Sequence, residues 1–316
     1  RDQRPVYVGK NPVGGTYRRI GEGDYVCSPD EVHRMFADRT TSEGDGAVLA
    51  GFTMSDLDPE SIRRYRQIFQ NRDPQHQFHS LDAEDFLIRI GAMVRNRMTG
   101  EVSVTRAGLL MFGTEQALHD PQAITTYHVD YREKLSPDPL ERWSHRINDD
   151  GNWSHNLFQF YERVINRLYS HLDQPYRIDD LGGRVRETEV HLGLKEALVN
   201  ALIHADHNGA GGIVIEKYPD RYVFSNPGHL LVSVAQLVRG GTSECRNKNL
   251  QRMFQHLGVG DKAGSGIERI RQSWVNARWA SPRLIEITQP DRVELELPTI
   301  SILAPEISER LTERFG

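Results

Sequence analysis

Cysteine is the scarcest useful residue in this chain: Cys27 and Cys245 are the only two among 316 residues. They offer no metal-ligand spacing and no disulfide framework, so a reducing, cytoplasmic setting is expected. No apolar run approaches the roughly 20 residues that a membrane-spanning helix needs. No Walker A motif is present, which argues against P-loop motor chemistry. The 13 histidines are scattered, with no Asp/His cluster at ligand spacing, so a purely metal-dependent hydrolase is disfavoured. Surplus positive charge is missing too. A net charge of −5 speaks against wholesale coating of nucleic acid.

What remains is an ordinary globular composition, 38% hydrophobic and 26% charged, long enough for two or three small cores. The chain opens at Arg1 without Met, in what reads as the middle of a domain, so a fragment is expected. Residues 1–20 carry Arg1, Arg4, Lys10, Arg18 and Arg19 against Asp2 alone, five minus one or +4. Lys10, Arg18 and Arg19, interleaved with Tyr7 and Tyr17, are therefore candidate nucleic-acid contacts; a solvated strand face is the alternative.

Along the chain, strand-like runs lead to a helix announced by the capping box Ser28-Pro29-Asp30-Glu31. A strand over 47–54 precedes the helix start Asp58-Pro59-Glu60. A third helix spans Ser80 to Met93, and a turn and a strand with Val102 and Val104 follow. Helices followed by a hairpin outline a winged helix, but the second helix opens on Asp82, Glu84 and Asp85, wrong for reading a groove. A structural connector is the preferred reading. A strand is expected over 124–131, a long polar loop over 132–152, and a helix over 154–172 with its apolar face in the core or a dimer seam.

The segment Leu194–His204 holds the richest signal. At about 100° per residue Asn200 lies roughly 40° from Glu196 and His204 roughly 80°, so the three share a stripe. Leu194, Leu198, Ala201 and Leu202 take the other side. A carboxylate with a carboxamide one turn on can orient a water and hold a metal between phosphates. An ordinary amphipathic helix with a solvated polar face shows the same spacing. A hairpin follows over 211–228, broken at Ser225-Asn226-Pro227-Gly228. Arg246-Asn247 opens a helix through His256, and Gly264-Ser265-Gly266 turns into another helix whose free N–H groups suit a phosphate. A last hairpin, 284–287 with 293–297, completes the set.

In this order, Glu196-x-x-x-Asn200-x-x-x-His204, Asn226-Pro227-Gly228, Arg246-Asn247 and Gly264-Ser265-Gly266-Ile267 resemble a divergent GHKL (Bergerat-type) ATPase domain. The version it resembles belongs to bacterial Schlafen AlbA-type transcriptional regulators, often labelled helicase-related. Arg4–Gly9 and Gly15–Gly21 are similar to the end of an AlbA-type domain, and Thr105–Gly113 and Trp153–Phe160 to the connecting region. The resemblance implies an α+β fold: an AlbA-type remnant (1–40), a helical, winged-helix-like connector (41–120), a strand, loop and long helix (121–180), a GHKL-like α/β sandwich (181–300) and the start of a linker or of a missing C-terminal domain (301–316). It also implies Glu196 as general base and Asn200 as magnesium ligand. His204, Asn226, Gly228, Arg246, Asn247, Gly264, Ser265 and Gly266 would surround ATP. Asn226 stands where the family has an Asp that reads the adenine amino group, so hydrolysis and base specificity are both open.

Three functions follow. The first is a DNA-associated, homodimeric transcriptional regulator that binds ATP with Mg2+ as a conformational signal, with Arg246 and Lys262 as phosphate partners. The second is a degenerate ATPase fold kept as a dimerisation and DNA-binding scaffold. The third is a slow ATPase.

Overall fold

The computed structural model describes residues 5–20, 23–29, 31–32, 35–36, 44–124, 126–138, 140–172, 177–178, 184–185, 187–232, 244–260 and 266–302. They fall into two compact units, Arg1–Gly44 and Asp45–Gly316.

The first unit is built on an antiparallel hairpin, β1 (Tyr17–Ile20) and β2 (Gly23–Val26). An Asn11-capped turn over Pro12–Gly15 precedes it. The capping box expected at Ser28 is formed: its N–H donates to Glu31 Oε2 at 2.6 Å, and the Glu31 N–H donates to Ser28 Oγ at 3.3 Å. Arg18 pairs with Glu31, and Arg19 stands opposite Asp24 in the hairpin register. Two of the three candidate nucleic-acid residues thus have a carboxylate as partner or cross-strand neighbour, while Lys10 is exposed.

The second unit is a mixed α+β structure. Its first helix, α1 (Pro59–Arg72), begins as the sequence demands, with Pro59 at the first position and Asp58 capping the Ser61 N–H. Next come α2 (Ala83–Ile90), the two-stranded pair β3 (Met93–Arg95) and β4 (Val102–Val104), α3 (Arg106–Phe112) and the single turn α4 (Glu115–Leu118). Two expectations fail here. The third helix stops at Ile90 rather than Met93, because Gly91 takes a left-handed conformation (φ 88°) and Met93 enters β3. The strand expected over 47–54 is a single bridge, Val48 to Thr105, because Thr53 and Asp56 close a capping box around the short turn Met54–Asp56.

The rest is a six-stranded sheet with helices packed on it. Chain order gives β5 (Val129–Glu133), β6 (His145–Ile147), α5 (Leu157–Ser170), a short pair β7 (Arg177–Ile178) and β8 (Arg184–Val185), and α6 (Glu189–His204). The hairpin β9 (Ile213–Tyr218) and β10 (Arg221–Pro227), then α7 (Lys248–His256), α8 (Gly266–Asn276), β11 (Arg283–Thr288) and β12 (Asp291–Pro298) complete it. Spatial order is β11-β12-β10-β9-β5-β6; β5 and β9 run parallel and every other neighbour is antiparallel. The polar loop expected over 132–152 therefore contains an edge strand. Ion pairs hold it there: Arg146 Nη2 lies 2.8 Å from Asp130 Oδ2 on β5.

Alternation fixes the sheet's inner face. Tyr222, Phe224 and Asn226 of β10 turn inward with Val293, Leu295 and Leu297 of β12 and Ile213 and Ile215 of β9, and all are buried. Trp274 of α8 is fully buried, and its indole N–H donates to Pro298 O at 2.6 Å, tying that helix to β12. The chain length would allow separate cores, yet residues from Leu49 to Leu297 share a single apolar cluster. Tyr65 is one of its pins: fully buried, edge-on to Phe112 (5.1 Å) and Phe158 (5.7 Å), with its hydroxyl on Met253 O at 2.8 Å. A buried tyrosine needs that partner for its one polar atom, while its ring burial is worth about 1.5–3 kcal/mol.

Candidate functional site

Between α6 and the inner face of β10 and β12 lies a cavity of about 120 Å³. Its floor is apolar, with Phe224 and Leu295 of the sheet; its polar wall is Glu196, Asn200 and His204 of α6, and Asn226 enters from β10. The helical stripe read from the sequence thus faces this cavity. Most of α6 is buried on its other sides, so Glu196, only 3% exposed, is buried as well.

The N-terminus of α8 closes one end, and Gly266 is its first residue. A Cβ built on Gly266 would fall 2.4 Å from Glu196 Oε1 and 3.1 Å from Asn200 Nδ2. Carboxylate and carboxamide therefore converge on one point, against a helix start that only glycine can occupy without displacing them. The positive end of the helix faces the carboxylate. Arg269, one turn further along α8, donates from Nη1 to Glu196 Oε2 at 3.5 Å. Arg269 is not among the residues the family pattern implies; its contact with Glu196 comes from the packing of α8 on α6.

Gly228 and Arg246 do not line the cavity themselves; they stand behind its wall residue His229. Gly228 has φ 106°, and a Cβ there would lie 3.0 Å from Asp206 Cβ and 3.4 Å from Arg246 Nη2. Buried Arg246 donates from Nη2 to His229 O at 3.3 Å, and its Nη1 stands 4.0 Å from Asp206 Oδ2. Asn247 has a different job from the one the family pattern implied. Its carboxamide donates to Ile203 O (3.0 Å) and Ala205 O (2.8 Å), and its backbone N–H also donates to Ile203 O (3.1 Å). It caps the carbonyl end of α6 and does not line the cavity. Gly264, Ser265 and Lys262 lie outside the described residues.

The donor set fits a nucleotide with magnesium. An apolar floor with two buried carboxamides, Asn226 and Gln251, suits a purine ring and its polar edge. Asn200 offers a neutral oxygen for a hard cation, and Glu196 is placed to orient and deprotonate a water.

A second buried carboxylate lies on the same sheet. Glu133 of β5, 1% exposed, accepts from Tyr131 Oη at 2.9 Å, Arg167 Nη2 at 2.9 Å and His171 Nε2 at 2.8 Å. Burial alone would raise its pKa, but hydrogen bonds from Arg167, His171 and Tyr131 outweigh it and bring the value down to about 2. Near the end of α6, burial lowers His207 to about 4.

Residues 211–296 match an ATPase-like family described as "Putative ATP-dependent DNA helicase recG C-terminal". Residues 33–130 match a domain of unknown function (DUF8451). The first match spans the hairpin, α7, α8 and the closing strands; the Glu196–Asn200 helix lies outside it and joins the site by geometry. No curated protein matches the chain. Among solved structures, the DIP2311 protein from Corynebacterium diphtheriae is similar in fold, with a TM-score of 0.58, 19% identity and coverage of 93% of this chain. This chain spans 47% of that protein's length. Among the described residues no helix is long and apolar enough to cross a membrane. The match over residues 211–296 supports a divergent ATPase-like domain in this part of the molecule.

Proposed function

We propose that the cavity beneath α6 is a GHKL-type nucleotide site, and that ATP bound there with Mg2+ acts as a conformational signal in a DNA-associated regulator. The observation that carries this reading is the convergence of Glu196 and Asn200 on Gly266, at a helix N-terminus beside an apolar-floored cavity. In this reading the base lies against Phe224 and Leu295 with Asn226 at its edge. Asn200 holds the magnesium ion, and the start of α8 receives phosphate oxygens. Arg246 supports the wall from behind through His229 O, and His204 completes the wall. Magnesium neutralises phosphate charge when bound; orienting any attacking water falls to Glu196.

Signalling, rather than fast turnover, is supported by the Arg269 contact. A carboxylate held by a guanidinium and a helix start is restrained as a base, and it couples α6 to α8. The matched family's description names a DNA helicase, and the small unit carries Lys10, Arg18 and Arg19; both support DNA as partner, and the working form in this reading is a homodimer in a cytoplasmic setting. The specific arrangement, an AlbA-type remnant, a winged-helix-like connector and a GHKL sandwich, belongs to the same proposal.

The test is magnesium-dependent binding of a non-hydrolysable ATP analogue by the wild type and Asn200→Ala. Wild-type affinity in Asn200→Ala would remove the site assignment. Nucleotide-independent DNA binding with no analogue bound would favour the scaffold reading.

A further inference from the structure

A separate constellation shares no residue with the cavity. His119 caps α4, Asp149 follows β6, and His155 precedes Asn156, the residue that caps α5. His119 Nε2 lies 2.7 Å from Asp149 Oδ2, and His155 Nδ1 lies 3.1 Å from Asp149 Oδ1. One donor atom from each of the three falls within 4.8 Å of the others. Sequence gaps of thirty and six residues hid the cluster from any spacing rule.

His155 is what makes this more than a surface pair. It is 1% exposed, and neither ring nitrogen has a hydrogen-bond partner among the described residues; Asp149 is close but out of line. Its backbone sits at φ 53°, a left-handed conformation that a residue with a side chain adopts only under constraint. The constraint is visible: Tyr127 Oη donates to the His155 carbonyl, and the Trp153 ring packs 4.4 Å from the imidazole. The fold thus holds an imidazole without a hydrogen-bonding partner next to a carboxylate and a second imidazole.

We propose that His119, Asp149 and His155 bind one divalent transition-metal ion of the Zn2+ class, which fastens α4 to the loop leading into α5. Two imidazoles and a carboxylate suit such an ion, with bonds of about 2.0–2.1 Å and donors about 3.4 Å apart in a tetrahedron. The two histidine–carboxylate separations, 2.7 and 3.1 Å, fall short of that value by less than 1 Å, a gap that small side-chain rotations close. Side chains of His119 and Asp149 are 39% and 35% exposed, so water reaches the fourth position. The ion gives His155 the partner its burial denies it. This inference is independent of the nucleotide reading.

The test strips the purified full chain with a chelator, dialyses it against Zn2+ and counts the metal by mass spectrometry, with Co2+ absorption as the probe of coordination. One ion per chain is expected, with a tetrahedral Co2+ spectrum. His119→Ala and Asp149→Asn, on the exposed side, should fold and bind at least about 100-fold more weakly, since even outer-shell changes cost 10–100-fold. Glu196→Gln should bind Zn2+ as the wild type does. An empty wild-type chain after dialysis, or full stoichiometry in both Asp149→Asn and His119→Ala, would overturn the assignment.

Discussion

Glu133 and Glu196 are both buried carboxylates associated with one sheet, and their surroundings could hardly differ more. Glu133 is enclosed by Tyr131, Arg167 and His171 on β5 and α5. Glu196 borders a cavity, with a glycine against one oxygen and Arg269 Nη1 3.5 Å from the other. In the first arrangement both oxygens are engaged, and Arg167 and His171 tie β5 to the end of α5. The second leaves room for a ligand beside the charge. Burial alone therefore does not mark a functional carboxylate; burial beside a space shaped by glycine does.

Substitutions can break this contrast, and the largest effect is expected at Glu133. Glu133→Gln leaves Arg167 and His171 without their anion and should destabilise the fold by about 3 kcal/mol in urea denaturation. Nucleotide affinity measured on the remaining folded protein should not change. An effect of similar size comes from acid. His207 is held neutral to about pH 4, so the unfolded chain takes up its proton first, from about pH 6.5 downward. His207 alone should cost about 3 kcal/mol between pH 6.5 and 4, and His256, also held down to about 4 by burial, adds to the loss in the same window, with no loss from either above it. Glu133, lowered to about 2, adds a second loss only below about pH 4.5. Thermal melts across this range check both; a flat profile from pH 7 to 4 would contradict the burial of His207.

Changes at the cavity should be smaller in stability and visible in binding. Gly266→Ala pushes against the movable ends of Glu196 and Asn200, so stability should stay within about 1 kcal/mol while nucleotide affinity drops at least about tenfold, roughly 1.4 kcal/mol. The smallest effect is expected from Glu196→Gln, which keeps shape: binding within about twofold and loss of any turnover, followed by phosphate release. If Gly266→Ala unfolds the chain and Glu133→Gln does not, the contrast is reversed.

The sheet's closing hairpins and α6 were legible because apolar period and turn residues agree there. Glu196, Asn200 and His204 share a face by helical geometry alone, and the structure turns that face to the cavity. Asn247 misled because its carboxamide reaches back to carbonyls of α6, a contact between distant segments that its own neighbours do not encode. β6 was hidden because a strand of His145, Arg146 and Ile147 has no apolar alternation; the Asp130 pairs position it instead. Arg269 and the His119–Asp149–His155 group lay beyond reach for the same reason: each depends on which segments the fold brings together.

The central claim is that the α6 cavity binds nucleotide through Asn200 and Glu196. Calorimetric titration of the chain with a non-hydrolysable ATP analogue, with and without Mg2+, tests it most directly. The account predicts magnesium-dependent heat that disappears in Asn200→Ala while that variant keeps its melting temperature. No heat from the folded wild type at millimolar analogue would contradict it.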